Sequence, residues 1–180
     1  MDNVKNKADV LSSTGIAAGF LIGGEEKSLV IFKNCANEGS IYGVVASGFA
    51  VPGQFRTIIV NSINNGSIYG VLGAFGLSSN VIGADNVVQL GSVQCYSDPD
   101  QAYNFWNISL GIFPSVFCSD KVCQDGSDGD YLLVKETNSH FYVDERKDYL
   151  VNILNSNKRV KQYGLFWADD LSFSDNNQTI

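Results

Sequence analysis

Polar and apolar positions in the first hundred residues repeat as a block rather than with one short period. Asn61-Ser62-Ile63-Asn64-Asn65-Gly66-Ser67-Ile68-Tyr69-Gly70 has its nearest copy in Asn34-Cys35-Ala36-Asn37-Glu38-Gly39-Ser40-Ile41-Tyr42-Gly43. The pattern Asn-x-apolar-Asn/Gln-x-Gly-Ser-Ile/Val extends to Asn86-Val87-Val88-Gln89-Leu90-Gly91-Ser92-Val93 and, degraded, to Asn3-Val4-Lys5-Asn6-Lys7-Ala8-Asp9-Val10. Starts at 3, 34, 61 and 86 lie 31, 27 and 25 residues apart, the spacing of a solenoid, propeller or array. Each block leads into an apolar arm rich in small residues: Gly15–Phe20, Gly43–Phe49 and Gly70–Leu77. Short β-rich runs, Ser28–Phe32 and Arg56–Val60, return the chain to the next block. Helix is a poor reading, because 15 of the 18 glycines precede Cys118 and each costs a helix about 1 kcal/mol relative to Ala.

A single coil of this kind has too little apolar surface to fold alone, so burial must come from the coils above and below. The block then predicts an inward ladder of Val10, Ile41, Ile68 and Val93. Side chains alternate along a strand, so the neighbouring column, Leu11, Tyr42, Tyr69 and Gln94, points outward. Asn3, Asn34, Asn61 and Asn86 are read as corner residues whose amides bond to backbone groups.

From about Asn107 the pattern changes. Residues 1–118 hold 13 charged residues and residues 119–180 hold 18. Tyr131–Lys135 and His140–Val143 predict a hairpin, Asp144 caps a helix over about 145–155 that Asn157 ends, and Tyr163–Trp167 predicts a last strand. Ser174–Ile180 is expected to be loose. The fold expectation is mainly β: a short right-handed parallel β-solenoid of about four coils over 1–108, then a small α+β C-terminal cap over 109–180. An open stack exposes apolar surface and unpaired backbone at its end, which gives a cap its task.

Composition narrows the partners. A net charge of −7 without a basic cluster argues against nucleic acid. No run approaches the length of a membrane-spanning helix. Gly15–Gly24 has the apolar character of a signal peptide but falls in register with the other arms, so it reads as the arm of a first coil. A chain that opens inside a repeat is expected to be part of a longer one.

Asn-x-Gly-x-Ile followed by Gly70-Val71-Leu72-Gly73 resembles the GLUG-type repeats, named for a Gly-Leu-x-Gly signature, of secreted bacterial peptidases and microbial surface proteins. The resemblance covers residues 3 to about 95. Val71 stands where the signature has Leu, and the other coils read Gly43-Val44-Val45-Ala46 and Gly15-Ile16-Ala17-Ala18. It implies a stalk or adhesive module without a catalytic centre, at the cell surface or outside the cell.

Candidate chemistry is sparse. Paired carboxylates would serve a glycan-cleaving β-helix, and the candidates are Asp98 with Asp100, and Asp125, Asp128 and Asp130, all outside the repeating coils. Asp125, Asp128 and Asp130 in Asp-Gly-Ser-Asp-Gly-Asp are candidate calcium ligands, although Gly129 and Asp130 break the EF-hand order. Cys118 and Cys123 are spaced for a disulfide, whereas Cys35 and Cys95 read as buried small residues too far apart to join. One His, His140, and no second close Cys pair leave zinc without ligands. There is no nucleophile elbow and no phosphate loop. Asn65-Gly66-Ser67, Asn107-Ile108-Ser109 and Asn177-Gln178-Thr179 match the glycosylation acceptor, relevant only to a protein secreted by a eukaryote. Tyr42 and Tyr69 are the candidate binding residues, on one outer face.

The expected function is a non-enzymatic structural or adhesive repeat module that needs no cofactor and presents a solenoid face to a host or cell-surface protein or glycan. The alternatives are a polysaccharide-acting β-helix enzyme and a spacer appendage of a secreted peptidase.

Overall fold

A computed structural model describes residues 1–23, 28–51, 56–78, 81–98, 102–105, 112–118, 151–152 and 154–174, with backbone course alone at 103–105 and 112–118. The chain winds as a parallel β-solenoid of about three turns, followed by a small β/α region. Three turns rather than about four follow from the repeat itself, since four blocks bound three intervals.

Two sheets form the walls. Sheet A contains β1 (Lys5–Asn6), β5 (Leu29–Lys33), β6 (Ala36–Asn37), β9 (Arg56–Asn64), β11 (Val81–Gln89) and β14 (Ile112–Cys118). Sheet B contains β2 (Val10–Leu11), β3 (Ile16–Ala18), β4 (Leu21–Ile22), β7 (Ile41–Ser47), β8 (Ala50–Val51), β10 (Ile68–Ser78), β12 (Val93–Cys95) and β13 (Ala102–Phe105). Every pairing within the two sheets is parallel, with Val10 beside Ile41, Ile41 beside Ile68 and Ile68 beside Val93. The inward ladder is therefore as the block predicts, and Ile41 and Ile68 are fully buried in it. A second core cluster gathers Phe32, Phe49, Ile59 and Leu77, closed at the first coil by Phe20, whose ring lies 5.2 Å from Phe49 and 5.9 Å from Phe32.

The asparagines do more than turn corners. Asn3, Asn34, Asn61 and Asn86 all have left-handed backbones, with φ between 45° and 58°, which Asn tolerates better than most residues. The fourth position of the block forms a second ladder inside the coil. Asn6 Nδ2 donates to Asn37 Oδ1 at 2.7 Å, Asn37 Nδ2 to Asn64 Oδ1 at 2.6 Å, and Asn64 Nδ2 to Gln89 Oε1 at 3.1 Å. Each amide also donates to the carbonyl two residues on, in Ala8, Gly39, Gly66 and Gly91. The buried amides are thus satisfied along the stack and across the turn.

This turn explains the glycine that follows. A Cβ on Gly66 would stand 2.0 Å from the Gly39 carbonyl oxygen, one on Gly91 2.0 Å from that of Gly66, and one on Gly39 2.0 Å from that of Ala8. The first block has Ala8 instead, and its methyl meets no earlier coil among the described residues.

The C-terminal region runs along the flank of the stack. Residues 151–152 and 154–156 are helical and Asn157 is not, as the sequence suggests. The predicted strand from Tyr163 is shorter: Val160–Tyr163 is a second helix, α1, closed by left-handed Gly164. The strand is β15 (Phe166–Trp167), antiparallel to β16 (Phe173–Ser174). Gly164 is the local reason, because a residue with φ of 91° ends a helix and turns the chain. The hairpin over 131–143 and the start of the helix lie outside the described residues, as does the tail beyond Ser174.

Candidate functional site

The two outer faces of the solenoid differ. Sheet A is covered by the chain itself at its corner end, while Leu29 and Ile31 of β5, farther along, stay exposed. Ala36, Ile63 and Val88, outward on three successive coils, pack against Val151, Leu154, Trp167 and Leu171. The corner ladder joins the contact. Asn86 Nδ2 donates to Asn61 Oδ1 at 2.8 Å and Asn61 Nδ2 to Asn34 Oδ1 at 2.7 Å. The same nitrogens reach carbonyls of the cover: Asn34 to Tyr163 at 2.7 Å, Asn61 to Leu165 at 3.1 Å and Asn86 to Leu154 at 3.2 Å. Trp167 Nε1 donates to Asn61 Oδ1 at 2.7 Å. The expected amide-to-backbone bonds exist, but their partners are more than sixty residues away rather than in the turn.

One carboxylate anchors this cover. Asp85, buried on the sheet A flank, accepts from Arg159 Nη1 at 3.3 Å, from Asn157 Nδ2 at 3.2 Å and from the Tyr163 hydroxyl. Burial and then the Asp85 carboxylate raise the Tyr163 phenol above its ordinary value, and the Asp85 bond raises Arg159. Nothing in the sequence pattern singled out Asp85.

Sheet B is bare among the described residues. Tyr42 and Tyr69 are neighbours in register and their rings stack at 4.7 Å with 10° between planes. The place beside Tyr69 on the next coil is taken by exposed Gln94, as the block predicts, and Tyr96, two residues on, stacks its ring 6.4 Å from that of Tyr69. Leu11 stands beside Tyr42 at the other end and is 77% exposed. Between Gly70 and Gly73 β10 has one residue more than β7 has between Gly43 and Val45, and this bulge lifts Val71 and Leu72 outward. Leu72 is 62% exposed and Tyr96 65%. The strands of sheet B contain no charged residue. Tyr42 and Tyr69 were legible as an outward pair, whereas Tyr96, Leu72 and the bulge were not.

The other candidates do not converge on a site. Asp98 is exposed on the chain after β12, and Asp100 lies outside the described residues. Asp125, Asp128, Asp130, Cys123 and His140 also lie outside them, and Cys118 is described only by its backbone at the end of β14. Cys35 and Cys95 are buried free thiols, and burial pushes the Cys35 thiol up. Among the described residues no group of His, Cys, Asp and Glu is arranged to hold a metal ion, and no helix is long and apolar enough to cross a membrane.

Comparison with protein-family models, with curated proteins and with solved structures finds no match for the chain.

Proposed function

We propose that this protein is a non-enzymatic structural or adhesive module that presents the outer face of sheet B to a protein partner, as part of a larger surface or secreted assembly. The observation that carries this reading is the contrast between a largely apolar, uncharged face of sheet B that is open among the described residues and the part of sheet A that the C-terminal region covers. Soluble proteins rarely leave contiguous apolar surface open unless it serves a contact. The GLUG resemblance supports the same role and a cell-surface or extracellular setting.

A protein partner fits better than a glycan. Tyr42 and Tyr69 turn their ring faces on each other, so their outer surface offers ring edges and hydroxyls rather than the open π-face on which a sugar ring would stack. Edges and flanking aliphatic groups such as Leu11 and Leu72 suit the apolar centre of a protein interface.

The test is binding of cell-surface proteins, with a glycan array in parallel, to the wild type and to Tyr42→Ala and Tyr69→Ala. Protein binding lost on substitution is the expected result. Binding unchanged in both variants, or binding to glycans alone, would remove the reading. The rival enzyme reading is met by a glycan-cleavage screen with Asp98→Asn and Asp100→Asn, in which the expected result is no cleavage by the wild type.

A further inference from the structure

We propose that the partner on the outer face of sheet B is a second copy of this chain, packed sheet to sheet; this rests on the reading of that face as a protein contact. Three observations point to a copy rather than an unrelated protein. The first is charge. Each molecule carries −7, yet the strands of sheet B carry none of the charged residues, so two copies meet there without like charges opposed.

The second is pitch. The side-chain column repeats at the spacing of the coils, with the Tyr42 and Tyr69 rings 4.7 Å apart. Another stack of strands repeats its side chains at the same spacing, about 4.7–4.9 Å, along the contact. A second solenoid laid beside the first keeps Leu11, Tyr42, Tyr69 and Gln94 in step over the length of the face, in the aligned manner of two packed sheets.

The third is the bulge. Val71 and Leu72 stand out beside the tyrosine column instead of continuing a flat surface. A two-fold arrangement gives each copy one such knob and one column for the other's knob to rest against, which is the self-complementarity a closed dimer needs.

Sedimentation velocity of the full chain over a concentration series tests this. The expected result is a monomer–dimer equilibrium that strengthens from low to physiological ionic strength, as the net charges are screened. Leu72→Glu should raise the dissociation constant at least about tenfold, by placing a carboxylate in each half of the contact. Leu11→Glu, at the far end of the column, should weaken it in the same direction. Both side chains are exposed, so circular dichroism should be unchanged and a folding defect is separable from a lost contact. A monomer at every concentration overturns the inference, and so does a dimer that neither variant weakens. If the wild type is monomeric while a different protein binds it in a Tyr69-dependent way, the functional reading stands and only the second copy falls.

Discussion

Sheet A and sheet B are built from the same repeated block, yet among the described residues the corner side of one is covered and the tyrosine side of the other is open. On sheet A the outward positions Ala36, Ile63 and Val88 are small or aliphatic and lie beside a column of amides, Asn34, Asn61 and Asn86. Such a surface is costly to leave half-covered, because each buried amide needs partners. The C-terminal region supplies both halves: carbonyls of Leu154, Tyr163 and Leu165 for the amides, and Val151, Leu154 and Trp167 for the aliphatics. On sheet B the outward column of Leu11, Tyr42, Tyr69 and Gln94 stacks its two rings and leaves Gln94 exposed, so it buries no amide that the chain must satisfy. A repeat therefore specifies a stack twice over, while the chemistry of each outward column specifies whether that side must be closed.

The comparison can be broken most severely through the frame both faces share. Gly66→Ala places a Cβ against the Gly39 carbonyl, a backbone atom that cannot swing aside. A loss of at least about 3–4 kcal/mol is expected in chemical denaturation, with both faces lost together. Ala8→Gly, at the equivalent position without an earlier described coil, should cost under about 1 kcal/mol, and a large loss there would contradict the packing account of these glycines.

The next effect separates the faces. Asn61→Gly keeps the left-handed backbone but removes an amide that links Asn34, Asn86, Leu165 and Trp167. The expected cost is about 2–3 kcal/mol, with Trp167 becoming exposed while sheet B keeps its tyrosine stack. Trp167 fluorescence in a Trp106→Phe background reads the cover directly.

A smaller effect comes with pH. The Tyr163 phenol holds its proton more tightly in the folded protein than its ordinary value near 10. Its contribution to the cover is thus fully present below about pH 10 and is lost as pH rises through the folded value. Alkaline titration of Trp167 fluorescence should show the cover loosening above about pH 10, and Tyr163→Phe should abolish that dependence while costing about 1–2 kcal/mol at neutral pH. The smallest stability effect is on the open side. Tyr69→Ala removes stacking worth about 0.5–1.5 kcal/mol and should leave the cover intact, although it removes partner binding. Equal loss of cover from Tyr69→Ala and Asn61→Gly would show that the two faces are not independent.

The coil architecture was legible because a parallel stack brings equivalent residues of successive repeats side by side. Aligning the blocks is then the same operation as reading the register, which is how Val10, Ile41, Ile68 and Val93 emerged as one ladder and Tyr42 and Tyr69 as one outward pair. The second amide ladder was half-legible. Its positions, Asn6, Asn37, Asn64 and Gln89, stood in the pattern, but polar residues normally face water, and only the opposite wall shows why these face inward. A Cβ on Gly48, between β7 and β8, would lie 2.8 Å from the Asn64 side chain, and Gly19 and Gly76 stand in the same way against Asn37 and Gln89, so these glycines leave the space that the amides fill. The bulge at Val71 and Leu72 was hidden because one extra residue within an apolar arm changes no local preference.

What the sequence by itself determined is the repeat and everything that follows from translation along the stack: parallel pairing, the inward ladder, the outward columns and the glycines at close approach. These depend on residues in equivalent positions of neighbouring coils, which an alignment of the chain with itself exposes. What only the tertiary structure decided is which outward column is covered. Trp167 meets Asn61 across 106 residues and Tyr163 meets Asp85 across 78, and no periodicity links such pairs. Their contact is set by the path of the chain after the repeats end, where the translational rule no longer applies.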